Sequence, residues 1–377
     1  MEFGGTSSSH PPLPPISEED LFSCLRLLRS RRVGPATYTR LMDEHGSAQA
    51  ALEALPGIAR AAGEDNYQVC PEGVVAAELR AGRAAHARLV TRSCAAYPRA
   101  LLDVDDAPPL IWLRGPRDVN AQPQIALVGA RNASSLGTRM ARRLARELGA
   151  AEYGVASGLA RGVDTAAHLA ALDTGTVAVM AGGVDVAYPT ENTKLMDEIA
   201  EKGTVLSEMP MGTKPQARHF PRRNRLISGI SQAVIVVEAA AKSGSLITAQ
   251  IALDQGREVL AVPGHPFDVR AAGCNMLIRD GATLVRGASD VAEALALPER
   301  TAPIPKPTPE RPRTLRQIAQ IHQKIIDRLG PSPMAEDQII RDAGASPEQV
   351  SSALVDLELD GQIERQSGGL LSLKSRR

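Results

Sequence analysis

The stretch IALVGARNASSLGT, residues 125–138, runs from an uninterrupted apolar segment through a glycine turn into Ser, Gly and Thr positions where a helix can start. An apolar run with no polar alternation is what a strand buried on both faces requires, because neither set of alternate side chains meets water. The same device recurs at GVAS (154–157), TVAVMAG (176–182), TVLSEM (204–209), AVIVVEA (233–239) and EVLAVPG (258–264), mostly followed by a helical pattern. Short strands alternating with helices predict a parallel sheet covered on both sides. Residues 90–300 are therefore expected to form one doubly wound, mostly parallel α/β domain.

Composition agrees with that layout. Hydrophobic residues make up 43% of the 377 and aromatics only 3%, so the core is built mostly from Ala, Val, Leu and Ile. At roughly 100–200 residues per domain the chain has room for two or three units. Residues 1–16 are rich in Gly, Ser and Pro and read as a disordered tail. Residues 17–85 show helical periodicity broken at Val33-Gly34-Pro35 and closed near Gly46, a small all-helical module of the SAM or helix-hairpin-helix kind. Residues 301–313, with five prolines, read as an extended linker. In 314–377, three helical patterns and a hairpin turning at Gly368-Gly369 predict a winged-helix-like domain, with Ser346 capping the helix that opens at Pro347.

Several function classes drop out. Cys24, Cys70, Cys94 and Cys274 have no zinc-like spacing, so reduced thiols and no metal are expected. No apolar run approaches the roughly 18 residues that cross a bilayer, and no basic stretch precedes an apolar leader. A cytoplasmic chain without membrane partners is the expectation. The 43 basic residues balance 43 acidic ones, which leaves nucleic-acid binding to the local arrangement of charge.

That arrangement is uneven. Between Glu208 and Glu238 no acidic residue occurs, while Lys214, Arg218, Arg222, Arg223 and Arg225 do. HFPRR (219–223) is expected to be a loop leading into a helix that starts near Asn224. Its arginines can hold phosphates by bidentate hydrogen bonds and Phe220 offers a ring to an unstacked base. The turn Gly129-Ala130-Arg131 sits where doubly wound folds bind phosphates at a helix N-terminus, although Arg131 stands where a dinucleotide fingerprint needs glycine. A second turn offers Ser157, Gly158 and Arg161. A third offers Lys242, Ser243, Gly244 and Ser245, and Ala241 excludes the nucleoside-triphosphate loop that Lys242-Ser243 would otherwise end. Asp164 and His168, four apart, share a helix face and read as a structural hydrogen-bonded pair before a catalytic one. In the C-terminal domain, Glu348, Asp356, Glu358 and Asp360 give the second helix of the helix-turn-helix an acidic character that phosphates repel, so that domain reads as a protein-contact module. The Val33-Gly34-Pro35 turn reads as helix packing before a DNA contact.

VGARNASSLG, SGLARGVDTAAH, AGGVDVAYPTEN, LSEMP, FPRRNRLISGIS, VVEAAAKSGSLITA, AVPGH and GCNMLIRDGA stand in the order and spacing of the DNA-processing protein A (DprA/Smf) family. The resemblance covers about residues 90–290. It implies an extended Rossmann-like domain that binds single-stranded DNA, usually as a homodimer, protects strands during natural transformation and helps load the RecA recombinase. It implies no reaction, catalytic residue or cofactor. Contacts carry over to Arg131, to Phe220 with Arg222, Arg223, Asn224 and Arg225, and to Lys242 and Ser243. Gly129, Ala130, Ser157, Gly158, Arg161, Gly244 and Ser245 line the same edge. Ala130 stands where the family often has Ser, which leaves the role of Arg131 intact. The alternative is a nucleotide-processing hydrolase on a related fold. It calls for a PGGxGTxxE segment that AGGVDVAYPTE and KSGSLITA lack, and it would have to work through Glu208 or Glu238.

Overall fold

The computed structural model describes residues 17–295, 315–329, 333–342, 344, 347–366 and 370–373. The expected tail at 1–16, the linker at 301–313, the Ser346 cap and the turn at Gly368-Gly369 lie outside those residues. The chain divides into two compact units, Met1–Ala302 and Pro303–Arg377.

The first unit opens with four helices, α1 (Glu18–Arg29), α2 (Pro35–His45), α3 (Ala48–Ala61) and α4 (Glu72–Ala84). Ser17 and Ser47 cap α1 and α3 by accepting backbone N–H groups, and Gly46 ends α2 at φ +75°, a conformation that costs glycine nothing. The sheet elements follow: β1 (Ala87–Thr91), β2 (Leu110–Arg114), β3 (Gln124–Gly129), α5 (Ser135–Ala150), β4 (Gly154–Ser157), α6 (Val163–Ala171), β5 (Thr176–Val179), α7 (Thr193–Lys202), β6 (Thr204–Ser207) and α8 (His219–Gly229). Then come β7 (Ser231–Glu238), α9 (Gly244–Asp254), β8 (Glu258–Ala261), α10 (Ala272–Arg279), β9 (Thr283–Leu284) and α11 (Ala288–Ala294).

The nine strands lie in the order β1-β2-β6-β5-β4-β3-β7-β8-β9. All pairings are parallel except β1–β2 and β2–β6. The sequence reading anticipated the six central strands. It did not anticipate β1, β2 and β9, which are five residues or fewer and lie at or next to the sheet margins. From β3 the chain winds outward through β4, β5 and β6, then returns to the other side of β3 with β7. The strand order reverses at the β3/β7 boundary, and in open α/β sheets the crevice beyond the carboxyl ends at such a reversal is where ligands gather. Along β3, Ile125 and Leu127 enter one core beneath α5 and α6, while Ala126 and Val128 enter the other with Leu226 and Ile227 of α8. That alternation shows a strand buried on both faces.

The helical module is tied to the sheet by a buried carboxylate. Glu78 of α4 accepts a two-pronged bond from Arg29 of α1 at 2.9 and 2.8 Å and a third from the Trp112 indole of β2 at 2.9 Å. Gly82 lets Trp112 approach, since a Cβ there would lie 2.4 Å from the ring.

The second unit holds α12 (Leu315–Arg328), β10 (Met334–Ala335), α13 (Glu336–Asp342), α14 (Pro347–Leu359), β11 (Ile363–Gln366) and β12 (Leu370–Leu373). Its strands pair as β10-β12-β11, all antiparallel, over a core that includes Ile325, Ile339, Leu354, Ile363 and Leu371. This is a winged-helix arrangement. Asp356 and Glu358 of α14 and Asp360 just beyond it are exposed.

Removing the Glu78 carboxylate leaves the partly buried Arg29 unpaired and the buried Trp112 N–H without its acceptor. Glu78→Ala is expected to lower stability by about 3–5 kcal/mol, read by urea denaturation through Trp112, the sole tryptophan.

Candidate nucleic-acid interface

HFPRRNRLISG is helical throughout: α8 begins at His219, five residues before the expected start near Asn224. Pro221 is tolerated because it falls in the first turn, whose N–H groups have no partner within the helix. The helix splits its arginines between two faces. Arg225 is buried and gives one nitrogen to Glu208 at 2.5 Å and another to the Asp106 carbonyl at 2.6 Å. Arg222, one turn earlier, is half exposed and also meets Glu208, at 3.1 Å, on a cleft shared with Arg32 and Pro35 of the helical module. Arg222 and Arg225 thus find their carboxylates outside the segment that lacks acidic residues.

Arg223 goes inward. Its Nη1 donates to the carbonyls of Gly158 at 2.6 Å and Val179 at 2.5 Å, and its Nε donates to the Asn224 side chain at 3.2 Å. Burial pushes its guanidinium down to about 10, which still leaves it charged at neutral pH. Gly158 must lack a Cβ, which would stand 2.3 Å from that guanidinium. Arg223 and Arg225, expected to reach DNA, have their donors engaged inside the protein and serve to hold its loops.

The second turn is equally internal. Ser157 is buried and donates to the Leu127 carbonyl at 2.7 Å. Asp164 accepts from the Gly158 and Ala160 N–H groups at 3.0 and 3.2 Å, and burial pushes its carboxyl up against the opposing pull of Arg223. His168 accepts from Leu159 N–H at 3.3 Å, and its Nδ1 lies 2.7 Å from a Thr176 hydroxyl that itself donates to the Val155 carbonyl. This network calls for a neutral imidazole with its proton on Nδ1. Burial, with help from Arg223, pushes its pKa down to about 3. The pair is structural. Arg161 alone of this turn projects into solvent, where it pairs with Glu191 at 3.4 Å.

At the first turn the expected phosphate seat is taken. Glu238, at the end of β7, accepts from Ser134 N–H at 3.0 Å and from the Ser134 hydroxyl, at the entry to α5. A Cβ at Gly137 would lie 2.4 Å from that carboxylate, so glycine is required for the approach. The charge-seeking end of α5 is therefore satisfied by a carboxylate of the same chain. The strand end nevertheless presents Arg131, which is exposed, makes no ion pair among the described residues and lies with its guanidinium carbon 5.0 Å from the Phe220 ring centre. Ala130 donates to the Glu238 carbonyl at 2.7 Å, and Gly129 packs beside Val163.

The third turn is open. Ser243 caps α9, accepts from Ser245 N–H and sits 2.7 Å from the Ser245 hydroxyl, while Gly244 faces free space. Lys242 is exposed and makes no ion pair among the described residues. The cations at the switch point without a carboxylate partner among the described residues are therefore Arg131 and Lys242, on loops that leave the adjacent strands β3 and β7.

One aromatic was missed. Tyr188, in the loop after β5, packs against Phe220 in a tilted arrangement at 5.6 Å and stays 43% exposed, so the half-buried Phe220 is the inner member of a pair. A ring in the Gly- and Pro-rich AGGVDVAYPTEN loop, at the end of a buried strand, was the available signal. Among the described residues no group of His, Cys, Asp and Glu is placed to hold a metal, and no helix is long and apolar enough to cross a membrane.

Residues 88–296 match the family described as DNA recombination-mediator protein A. Residues 18–81 match the DprA-like N-terminal HHH domain and 305–369 the DprA winged helix domain. Among similar proteins, DNA processing protein DprA of Streptococcus pneumoniae is 44% identical over 197 residues, 52% of this chain and 70% of the relative. Protein Smf of Escherichia coli is 35% identical over 281 residues, covering 74% and 75%. The X-ray structure of DprA from S. pneumoniae superposes with a TM-score of 0.60 at 32% identity, over 74% of this chain and 98% of the other. DprA from Helicobacter pylori, solved for its single-stranded DNA binding mode, gives 0.51 at 28% identity, over 56% and 95%.

His168 supplies a pH test of the loop scaffold. Below its ordinary value of 6.5, and down to about 3, the unfolded chain takes up a proton that the folded imidazole refuses, so stability falls as pH falls through that window. Comparing wild type with His168→Gln by denaturation isolates this proton. The wild type is expected to lose about 2 kcal/mol more than the variant between pH 6.5 and about 5.

Proposed function

The chain belongs to the DNA recombination-mediator protein A family, and from that premise we propose that it binds single-stranded DNA across the carboxyl edge of its sheet. The observation that carries the reading is the pair of exposed cations without a carboxylate partner among the described residues, Arg131 and Lys242, on adjacent loops at the strand-order reversal, with the Phe220–Tyr188 rings beside them. Exposed cations serve phosphates and rings serve unstacked bases, which is the combination a single strand needs and a duplex does not. Arg161 and the hydroxyl-lined turn at Ser243 and Gly244 extend the same edge. Arg222 borders it from α8.

The role is one of holding DNA. Glu208 is engaged by two arginines and Glu238 by the start of α5, so neither edge carboxylate is poised as a general base on a bound nucleotide. By its family the protein protects single strands in transformation and recombination and delivers them to the RecA recombinase, acting as a homodimer through the sheet domain in the cytoplasm. The acidic exposed face of α14 fits a protein contact better than a duplex groove.

Titrating labelled oligothymidine at several salt concentrations tests this. Tight single-strand binding, weaker duplex binding and a slope of several phosphates are expected, and equal affinity for duplex would overturn the reading. Arg131→Ala and Lys242→Ala should each weaken binding about three- to ten-fold and reduce the slope by about 0.7. Arg223→Ala and Arg225→Ala should instead act mainly on stability. Removing residues 303–377 should leave strand affinity largely intact.

A further inference from the structure

Beyond Lys242 the next loop on the carboxyl edge, from β8 to α10, holds the most exposed large hydrophobic side chain among the described residues. Phe267 is 92% exposed and Val269 in the same loop 74%. Phe267 joins none of the hydrophobic cores of the described residues; its ring partner is His265, at 5.5 Å in a tilted arrangement.

The loop is built, not slack. Asn275 of α10 donates to the Gly264 carbonyl at 3.0 Å and accepts from Gly264 N–H at 3.1 Å, pinning the start of the loop. Asp268 donates its N–H to the His265 carbonyl at 2.9 Å, and its carboxylate accepts from the backbone and guanidinium of Arg270 at 3.0 and 3.1 Å. Asp268 is thereby neutralised and Arg270 engaged. At the far end, Gly273 N–H donates to the Ala239 carbonyl at 2.8 Å, which docks the loop onto the turn that presents Lys242. Such bonding holds an apolar ring in water, where burial would be favoured, so the ring is positioned for something outside the chain.

Its place on the sheet says what. Across the carboxyl edge the loops follow strand order: Tyr188 after β5, Arg161 after β4, Arg131 after β3, Lys242 after β7, and Phe267 after β8. In strand order Arg131 and Lys242 therefore lie between Tyr188 on one side and Phe267 on the other, about 19 Å apart for four strand spacings of about 4.8 Å. We infer that Phe267, with His265 behind it, is a second base-stacking platform for the single strand, on the other side of Arg131 and Lys242 in strand order from Tyr188. This rests on the reading of the edge as a single-strand track. A stacked base adds apolar contact without neutralising a phosphate, so its signature differs from that of a cation.

The test uses the full chain. Phe267→Trp places a solvent-exposed indole in a protein whose sole other tryptophan, Trp112, is 2% exposed. Oligothymidine of about 16 nucleotides is expected to quench the emission of that introduced indole. Phe267→Ala, which removes only the ring contact with His265, is expected to weaken binding about ten-fold with the salt slope unchanged, whereas Lys242→Ala lowers both. On a strand of abasic residues wild type and Phe267→Ala should bind alike. Wild-type binding with no loss in Phe267→Ala, or with the Phe267→Trp reporter unquenched, overturns this inference and leaves the track standing. No binding by the wild type overturns both. A blue shift of the reporter that follows protein concentration without DNA assigns the position to a protein interface and overturns the inference.

Discussion

A guanidinium shut away from water organises the carboxyl edge. Arg223 is 6% exposed and remains cationic, so its donors must be met by fixed protein oxygens, and the carbonyls of Gly158 and Val179 meet them. Those carbonyls lie at the ends of β4 and β5, so one side chain from α8 fastens two neighbouring strand ends. The consequences spread outward. Gly158 can carry no side chain, Asp164 organises the turn from below, His168 stays neutral, and Phe220 rides 6.0 Å above the same charge with Arg131 against its ring.

A second constraint decides which ligand such an edge can take. Doubly wound folds commonly bind nucleotide phosphates at the first helix N-terminus, by exposed N–H groups and the helix dipole. Here Glu238 reaches across from β7 and takes that position. A carboxylate already in place repels a phosphate, so the crevice does not invite a mononucleotide. What is left for ligands is the outer rim of the loops. A rim with cations and rings spaced along it suits an extended polymer.

The balanced net charge conceals this polarity because many arginines are matched locally. Arg222 and Arg225 converge on Glu208, Arg29 on Glu78 and Arg270 on Asp268, which removes them from competition for phosphate. Selectivity for the edge arises by subtraction: at the strand-order reversal Arg131 and Lys242 are left without a carboxylate partner among the described residues.

The parallel sheet, the helices around it and the winged-helix unit were legible in the sequence, because period, turn glycines and proline breaks are local properties and burial on both faces shows directly as unbroken apolar runs. The family followed from motifs in order. The margin strands β1, β2 and β9 were not legible, since β1 and β2 fall outside the repeated strand, turn and helix pattern and pair antiparallel, and β9 has only two residues. For the site, the sequence correctly gathered the loops onto one edge but could not divide Arg222, Arg223 and Arg225 by role. Adjacent identical residues on a helix differ only in the direction they point, and Glu208, the Gly158 carbonyl and Asp106 are brought to them by folding alone. The same holds for Glu238 at the start of α5, 104 residues from Ser134. Residue type and spacing determined that this protein would carry cations and rings at its strand ends. Only the tertiary structure decided which remain free, because a charge is available only when nothing nearby in space has already satisfied it.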